Sequence, residues 1–351
     1  MLTRQQKRTL ATVAKFVLPT IAIFLVVSAA MTAYAIHYIT HPTGNKNYAA
    51  TLKDYELLGI FIAQSEESWP LKNGGQGSGW LLRAATGAPL IVLSHGYEHN
   101  LADLLSLGVG LQRAGYHVLL YDIRGHGQSK VELTSLGEYE TDDILSAIEH
   151  VKTLKDPDGN PLIDKDRIGL YGVSIGGYAS LVAASKEPTV KAVVVDAVYP
   201  DVRRFVQIRI KQLSGLSNQL TDFLTDLGMK SFVSGKYGST SALTAVRSYT
   251  DVKQLYILGK DAGDLLQSTS DVYNQALPFK ETVEVPKSRI NILYKNDQDV
   301  YDPVVVDFFR RPDVLPPMVT QTPALGAAAS DQKSAETTKT ASADAGKSAT
   351  K

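Results

Sequence analysis

A serine between two glycines is the part of this sequence whose residue types most directly suggest chemistry. Ser174 lies within Gly172-Val173-Ser174-Ile175-Gly176, after a short β-prone run and before the small residues 178–184, which predict a helix. Where a strand turns sharply into a helix, the residue at the turn cannot relax, and its hydroxyl is held above the edge of the sheet. The two glycines keep Cβ atoms out of the crowded turn. Ser174 is therefore the first candidate nucleophile.

The elements that must position this serine alternate between strands and helices. Apolar runs predict strands, and apolar residues at helical spacing predict helices between them. The predicted strands are 55–62, 77–83, 88–94, 116–121, 168–173, 190–195, 254–259 and 280–285, and the predicted helices are 101–114, 135–154, 178–184, 267–277 and 303–311. The charged residues 164–167 are expected to end a loop. Because such alternation forms right-handed βαβ units, we expect an α/β fold with a mostly parallel, doubly wound sheet.

The N-terminal region predicts a membrane segment. Residues 1–15 contain four basic and no acidic residues, and residues 16–39 are almost wholly apolar. A run of that length spans a bilayer as a helix, and its basic flank is expected to stay cytoplasmic, which places the main domain outside the cytoplasm. The alternative is a signal peptide cleaved near Ala33-Tyr34-Ala35, which would give a secreted protein. Residues 40–53 are expected to form a polar connector.

Three segments carry a resemblance to a known family. His95-Gly96 closes the strand at 88–94, and Arg124-Gly125-His126-Gly127-Gln128-Ser129 follows the strand at 116–121. Together with the turn at Ser174, they resemble the α/β-hydrolase family over roughly residues 55–311. The resemblance implies an α/β-hydrolase domain at 54–311, with a small helical cap at about 199–250. It also implies that an ester, thioester or amide is hydrolysed through an acyl-serine intermediate.

The same resemblance assigns further site residues. In this family, the residue after His-Gly and the residue after the nucleophile provide backbone amides that bind the oxyanion. Here these amides belong to Tyr97 and Ile175, and such donors can each contribute about 3 to 4 kcal/mol. The acid of the triad is expected after the strand at 254–259, where the spacing favours Asp261 and leaves Asp264 as the alternative.

The catalytic histidine of the family has no counterpart at its usual place. The segment Val285-Pro286-Lys287-Ser288-Arg289-Ile290 resembles the family pattern, but Ile290 stands where the histidine is expected, and all seven histidines of the chain precede Ser174. A serine hydroxyl is a weak nucleophile until a base removes its proton. His99, beside the oxyanion segment, is the alternative base, and Lys287 or Lys295 is a further possibility.

Composition excludes several other functions. The chain has no cysteine and a formal net charge of zero, so a thiol nucleophile, a disulfide framework and an electrostatic nucleic-acid surface are all excluded. Because no phosphate loop, metal-spaced histidine pair or dinucleotide motif is present, no cofactor or metal is expected. Residues 312–351 lack aromatic residues and are expected to be disordered.

Two functions are therefore expected. The first is a membrane-anchored serine hydrolase that acts on a small acyl substrate. The second is a catalytically silent protein of the same fold, which binds a ligand or a protein partner at the membrane surface.

Overall fold

The computed structural model describes residues 3–44, 46–215, 218–232, 237–292 and 295–318. Eight strands form one sheet: β1 (Gln64–Pro70), β2 (Gln76–Leu82), β3 (Ala88–Ser94), β4 (His117–Tyr121), β5 (Ile163–Val173), β6 (Val190–Asp196), β7 (Lys253–Gly259) and β8 (Lys280–Val285). Their order is β1-β2-β4-β3-β5-β6-β7-β8. Strand β2 is antiparallel to both neighbours, and all strands from β4 to β8 in this order are parallel. The predicted α/β class with a mostly parallel sheet is confirmed.

Ten α-helices surround this sheet among the described residues. They are α1 (Arg4–Thr40), α2 (Leu52–Leu57), α3 (Leu105–Arg113), α4 (Glu138–Thr153), α5 (Ile175–Ala184), α6 (Val202–Ser214), α7 (Gln219–Phe232), α8 (Ala242–Ser248), α9 (Asp264–Gln275) and α10 (Lys295–Arg310). One face of the sheet packs against α3 and α10, and the other against α4, α5 and α8. Because both faces are covered, β3 and β4 are buried along their whole length, which explains their continuous apolar sequences.

The strand predicted at 55–62 is wrong. That stretch contains the end of α2 and the irregular segment after it, and the edge strand is instead β1, whose sequence is mostly polar. An edge strand can keep one face in solvent, and only Trp69 of β1 is buried. The charged residues 164–167, expected in a loop, lie within β5.

Helix α1 continues from the apolar N-terminal region into the body of the protein. Within it, Thr12–Thr40 is long and apolar enough to cross a membrane, although a signal sequence near an N-terminus has the same properties. Large apolar side chains stay exposed along its length, including Phe16, Phe24 and Met31. At its C-terminal end, by contrast, Ile36 and Ile39 are buried in the main core.

The segment 199–250 contains helices α6, α7 and α8, which interrupt the alternation of strands and helices between β6 and β7. Helix α8 packs against α5, whereas α7 packs against α1. At Gly228, a Cβ atom would overlap the end of the Ile36 side chain, so α7 approaches α1 closely at this position. Of the predicted C-terminal tail, residues 319–351 lie outside the described residues.

Candidate active site

Ser174 occupies the tight junction between β5 and α5. Its backbone has a φ of 50° and a ψ of −113°, a region that non-glycine residues rarely adopt. The amide of Ser174 donates to the Asp196 carbonyl oxygen at 2.9 Å, which fixes the turn to the end of β6. Cβ atoms at Gly172 or Gly176 would overlap backbone atoms, those of Ser94 in the case of Gly176. Both glycines of the motif are therefore required by close backbone approach.

The two predicted oxyanion donors belong to this turn and to the loop after β3. Ile175 is the first residue of α5, so its amide has no partner within the helix, and Tyr97 lies in the loop after β3. Neither amide donates a hydrogen bond to any residue that the structure describes. An amide at a helix N-terminus without an acceptor favours a negative charge. The Tyr97 side chain serves another purpose, since its hydroxyl donates to the Ile39 carbonyl oxygen at 2.9 Å.

A cavity of about 260 Å³ opens over the serine. Its walls combine the loop after β3, the start of α9, the loop after β8 and one face of α6: Tyr97, Glu98, His99, Ser174, Phe205, Ile208, Arg209, Gln212, Leu265, Ile290 and Asn291. The guanidinium of Arg209 stacks on the Tyr97 ring at 4.6 Å and pairs with Glu98 at 3.1 Å. Helix α6 is thereby held against the loop after β3.

The Ser174 hydroxyl forms no hydrogen bond with a described residue, and His99 is the one imidazole in the cavity wall. His99 Nδ1 lies 3.1 Å from a carboxylate oxygen of Asp103, and its Nε2 lies 3.2 Å from the Ile290 carbonyl oxygen. Both partners are acceptors. A neutral His99 that donates Nδ1–H to Asp103 would turn the Nε2 lone pair towards a carbonyl oxygen, which is unfavourable. Nε2 must leave Ile290 before it can accept a proton from Ser174.

Two other histidines lie nearby but are structural. Burial lowers the pKa of His95 to about 4 and that of His126 to about 3, so both are neutral at pH 7. His95 Nδ1 bonds to the Gly96 carbonyl oxygen, and its Nε2 accepts from the Ile123 amide at 3.0 Å. His126 Nδ1 bonds to the Arg124 carbonyl oxygen at 2.9 Å. These bonds hold the two loops that follow β3 and β4.

The two candidate acids lie outside the cavity wall. Asp261 is exposed and accepts a hydrogen bond from the Ser288 amide at 2.7 Å, so it contacts the loop that carries Ile290. Asp264, the alternative, pairs with Lys211 of α6 at 2.8 Å. Asp261 is thus the better placed of the two to orient a group on that loop.

The two lysines near the loop after β8 are also absent from the cavity wall. Lys287 pairs with Asp297 at 2.9 Å, and Lys295 is exposed at the start of α10.

Asp196, which the sequence did not single out, is the buried carboxylate of this region. It lies at the carboxyl end of β6 and accepts hydrogen bonds from the Ser288 hydroxyl at 2.9 Å, the Arg289 amide at 2.6 Å and the Tyr301 hydroxyl at 2.9 Å. Burial raises the pKa of Asp196 to about 6, although these three hydrogen bonds act in the opposite direction. An aspartate directly after an apolar strand was the signal that could have identified it.

Asp103 was missed as well, although its spacing of four residues from His99 is visible in the sequence. Hydrogen bonds from His99 and from the Asn100 amide outweigh the opposing effect of burial and lower the pKa of Asp103. Within the described ranges, no group of three or more His, Cys, Asp or Glu side chains is placed to hold a metal ion.

A family model described as alpha/beta hydrolase fold matches residues 89–276, more than half of the chain. The chain belongs to this α/β-hydrolase family. The match contains Ser174, the loop after β3 and the candidate acids.

Curated relatives of the chain include enzymes and proteins without assigned activity. The thiohydrolase apmlB of Arthrinium phaeospermum is 33% identical over 121 residues, which are 33% of this chain and 37% of that protein. The uncharacterized protein YfhR of Escherichia coli K12 is 25% identical over 246 residues, which are 68% of this chain and 77% of that protein. The chain therefore spans little more than a third of the thiohydrolase but most of YfhR.

Solved structures share the fold at low sequence identity. The Pyrococcus furiosus esterase Pf2001 matches 78% of this chain and 98% of its own, with a TM-score of 0.58 and 18% identity. The α/β-hydrolase GrgF of Penicillium matches 71% of this chain and 98% of its own, with a TM-score of 0.54 and 20% identity.

Proposed function

We propose that this chain is a membrane-anchored serine hydrolase that cleaves a small acyl ester, thioester or amide through Ser174. The observation that supports the proposal best is the state of three polar groups, two of which belong to residues that line one cavity. The Ser174 hydroxyl and the amides of Tyr97 and Ile175 all lack hydrogen-bond partners among the described residues. Polar groups at protein sites are normally bonded, so three unbonded groups beside a cavity fit an incoming carbonyl group. The name of the thiohydrolase relative supports a thioester among the substrate classes.

The proposed reaction follows acyl transfer. The Ser174 oxygen attacks the acyl carbon, and the two amides stabilise the tetrahedral oxyanion. His99 takes the serine proton and returns it to the leaving group, while Asp103 accepts Nδ1–H and keeps the ring oriented. Water then attacks the acyl-serine. In this step His99 takes a proton from the water and returns it to the Ser174 oxygen. For the first proton transfer, the His99 ring must turn away from the Ile290 carbonyl. A substrate that enters the cavity can displace the ring and so cause this rotation.

A second function has an observation of its own. Ile290 lies in the cavity wall, on the loop where the family places its histidine, and its carbonyl oxygen faces His99 Nε2. With this arrangement kept, Ser174 has no base, and the cavity binds an acyl ligand without turning it over. In this second proposal Asp261 only fixes the loop after β8.

A fluorophosphonate probe distinguishes the two functions. We expect the full-length protein to be labelled, Ser174→Ala to be unlabelled, and His99→Ala to be labelled at least about 100-fold more slowly, since general bases contribute 10²–10⁴-fold. His150→Ala is the matched control, because His150 pairs with Glu67 at 2.9 Å and does not line the cavity. An unlabelled but folded protein contradicts the hydrolase proposal and supports the binding function.

The anchor is proposed to remain uncleaved, with the N-terminus cytoplasmic. Its support is the burial of Ile36 and Ile39, which pack into the core directly after the candidate cleavage site. Mass spectrometry of the protein purified from membranes tests this proposal. We expect peptides from residues 16–35 to be retained, and an N-terminus at residue 36 would contradict it.

A further inference from the structure

Helix α7 has an exposed apolar face that no described residue covers. Leu220, Phe223 and Leu227 are 52%, 64% and 55% exposed, and their spacing of three and four residues places them on one side of the helix. Thr225 and Met229, on the other side, are buried. Apolar side chains that are exposed together on one helix face mark a contact surface. We call these three side chains the outer face of α7.

The position of α7 along α1 indicates what covers this face. The two helices enclose an apolar groove lined by Ala29, Thr32, Ala33 and Ile36 of α1 and by Leu224, Leu227, Gly228 and Ser231 of α7. The last charged residue before the apolar run of α1 is Lys15. A hydrocarbon core of about 30 Å takes about 20 residues at 1.5 Å each, so a spanning α1 leaves the core at about residue 35.

Most α1 residues in this groove therefore lie within the last two turns of the membrane span. A helix packed against residues 29–36 lies at the same depth, which is the outer boundary between acyl chains and headgroups. We propose that the outer face of α7 contacts the acyl chains of the outer leaflet, as a second membrane contact beside α1. An amphipathic helix at such a boundary buries its apolar face to a depth of about 5–10 Å.

Several charged side chains around α7 are already paired, which indicates the kind of surface that this helix fits. Asp226 pairs with Arg203 at 2.7 Å and with Lys230 at 3.3 Å, and Lys211 of α6 pairs with Asp264. Arg203, Lys211 and Lys230 thus each have an acidic partner. We expect contact with uncharged phosphatidylcholine bilayers, with no requirement for anionic lipid.

The contact has a consequence for the cavity, which rests on the proposed function. Ile39 lies four residues beyond residue 35, about 6 Å further along the helix, and its carbonyl oxygen accepts the Tyr97 hydroxyl. Tyr97 lines the cavity over Ser174. The cavity is therefore at headgroup height, which favours an amphiphilic acyl lipid from the bilayer as the substrate.

Single-cysteine variants of the full chain test the contact without reference to catalysis. The natural chain has no cysteine, so a nitroxide label can be attached at one position only. We choose Phe223→Cys in the outer face, Val26→Cys in α1 and Phe279→Cys as the matched control. Phe279 is 52% exposed and directly precedes β8. It therefore lies at the amino ends of the parallel strands, whereas Ser174 lies at their carboxyl ends. Each protein is reconstituted into phosphatidylcholine vesicles.

The measured quantity is the accessibility of the label to oxygen, which partitions into lipid, relative to a water-soluble nickel complex. We expect this ratio to be several-fold higher at positions 223 and 26 than at 279. A ratio at 223 equal to that at 279, with a high ratio at 26, overturns the α7 contact and leaves the anchor intact. Low ratios at both 26 and 223 overturn the anchor and the contact together. Neither result depends on whether Ser174 is reactive.

Discussion

The turn at residues 172–176 and the loop at residues 286–291 follow two strands of the same parallel sheet, yet their polar groups are in opposite states. At the turn, the Ser174 hydroxyl and the Ile175 amide have no partner among the described residues. In the loop, the Ser288 hydroxyl and the Arg289 amide both donate to the buried carboxylate of Asp196. The Arg289 side chain is also occupied, because it pairs with Asp302 and donates to the Asp103 carbonyl oxygen at 2.6 Å.

The turn keeps polar groups free for a reaction, whereas the loop uses its polar groups to support the structure. A group that is to react must stay free of hydrogen bonds to the protein. Such an unpaired, strained group costs free energy, which the fold tolerates only where the surrounding structure is rigid. The loop after β8 shows the reverse, since its bonds from Ser288 and Arg289 hold it against β6 and α10. Asp196 joins the two regions, because its carbonyl oxygen accepts the Ser174 amide while its carboxylate binds the loop.

The largest expected effect on stability comes from a substitution that disrupts the turn at Ser174. In Gly176→Ala, the new Cβ would overlap the carbonyl oxygens of Ser94 and His95, so we expect a loss of about 3 kcal/mol or more in the free energy of unfolding. Gly159→Ala is the control, because Gly159 has a φ of 86° and open space around its Cβ position, so only backbone strain of about 1 kcal/mol is expected. Urea unfolding measures both. Equal losses would show that the turn is not tightly packed.

The pH dependence of stability should report the buried Asp196. Its pKa is raised to about 6, whereas the unfolded chain releases the same proton near 3.8. Between these pH values the native state binds more protons than the unfolded state. The contribution of Asp196 to the free energy of unfolding is therefore full below pH 4 and is lost as the pH rises through 6. A shift of two pKa units corresponds to about 3 kcal/mol.

Asp196→Asn removes this titration and is the comparison for the pH profile. We expect the unfolding free energy of the natural protein to fall relative to that of the variant between pH 4 and pH 7. Parallel profiles over this range would mean that Asp196 is ionised throughout.

Ile290→His tests whether the loop can regain a base. Ile290 lines the cavity together with Ser174, so an imidazole at this position lies in the wall of the same cavity. In the His99→Ala background, which lacks the proposed base, we expect Ile290→His to raise the rate of Ser174-dependent labelling by a fluorophosphonate about 100-fold, the lower end of what a general base contributes. Ile290→Gln is the matched control, with a polar side chain of similar length that cannot act as a base. If both variants labelled at the same rate, polarity rather than proton transfer would explain any gain.

The smallest effects distinguish the two aspartates that hold the loop. Asp196→Ala leaves the Ser288 hydroxyl and the Arg289 amide without this acceptor, whereas the Tyr301 hydroxyl keeps the Tyr171 hydroxyl at 3.0 Å, so the change should cost about 2 kcal/mol of unfolding free energy. Asp261→Ala removes one hydrogen bond at an exposed residue and should cost less than about 1 kcal/mol. Thermal or urea unfolding gives both values. A larger loss for Asp261 would contradict the assignment of Asp196 as the main support of the loop.

The sequence predicted the central strands and the turn because their physical causes are local. Strand β8 has the predicted bounds, 280–285, and the fully buried β3 has an uninterrupted apolar run. The edge strand β1 was missed because its exposed face leaves it few apolar residues. Apolar periodicity therefore identifies strands that are covered on both faces better than strands at an edge.

The site was predictable only in part, because much of it depends on contacts between distant residues. The strained Ser174 and the two amides follow from a local motif. The role of Asp196 depends on Ser288, which is 92 positions later, and the orientation of His99 depends on Ile290, 191 positions later. The spacing of residues along the sequence gives no information on contacts between residues that are so far apart. The roles of Asp261 and Asp264 stay predictions.

The hydrogen bond between the Tyr97 hydroxyl and the Ile39 carbonyl makes the end of α1 a structural part of the catalytic-type domain. With α1 as the proposed anchor, this bond would hold the domain at a fixed distance from the lipid, whereas a long tether would let the domain move over a wide area and change its height. Soluble versions that begin after residue 40 would also lose Ile36 and Ile39 from the core. Biochemical work on this chain is therefore best done with α1 in place, in detergent or nanodiscs.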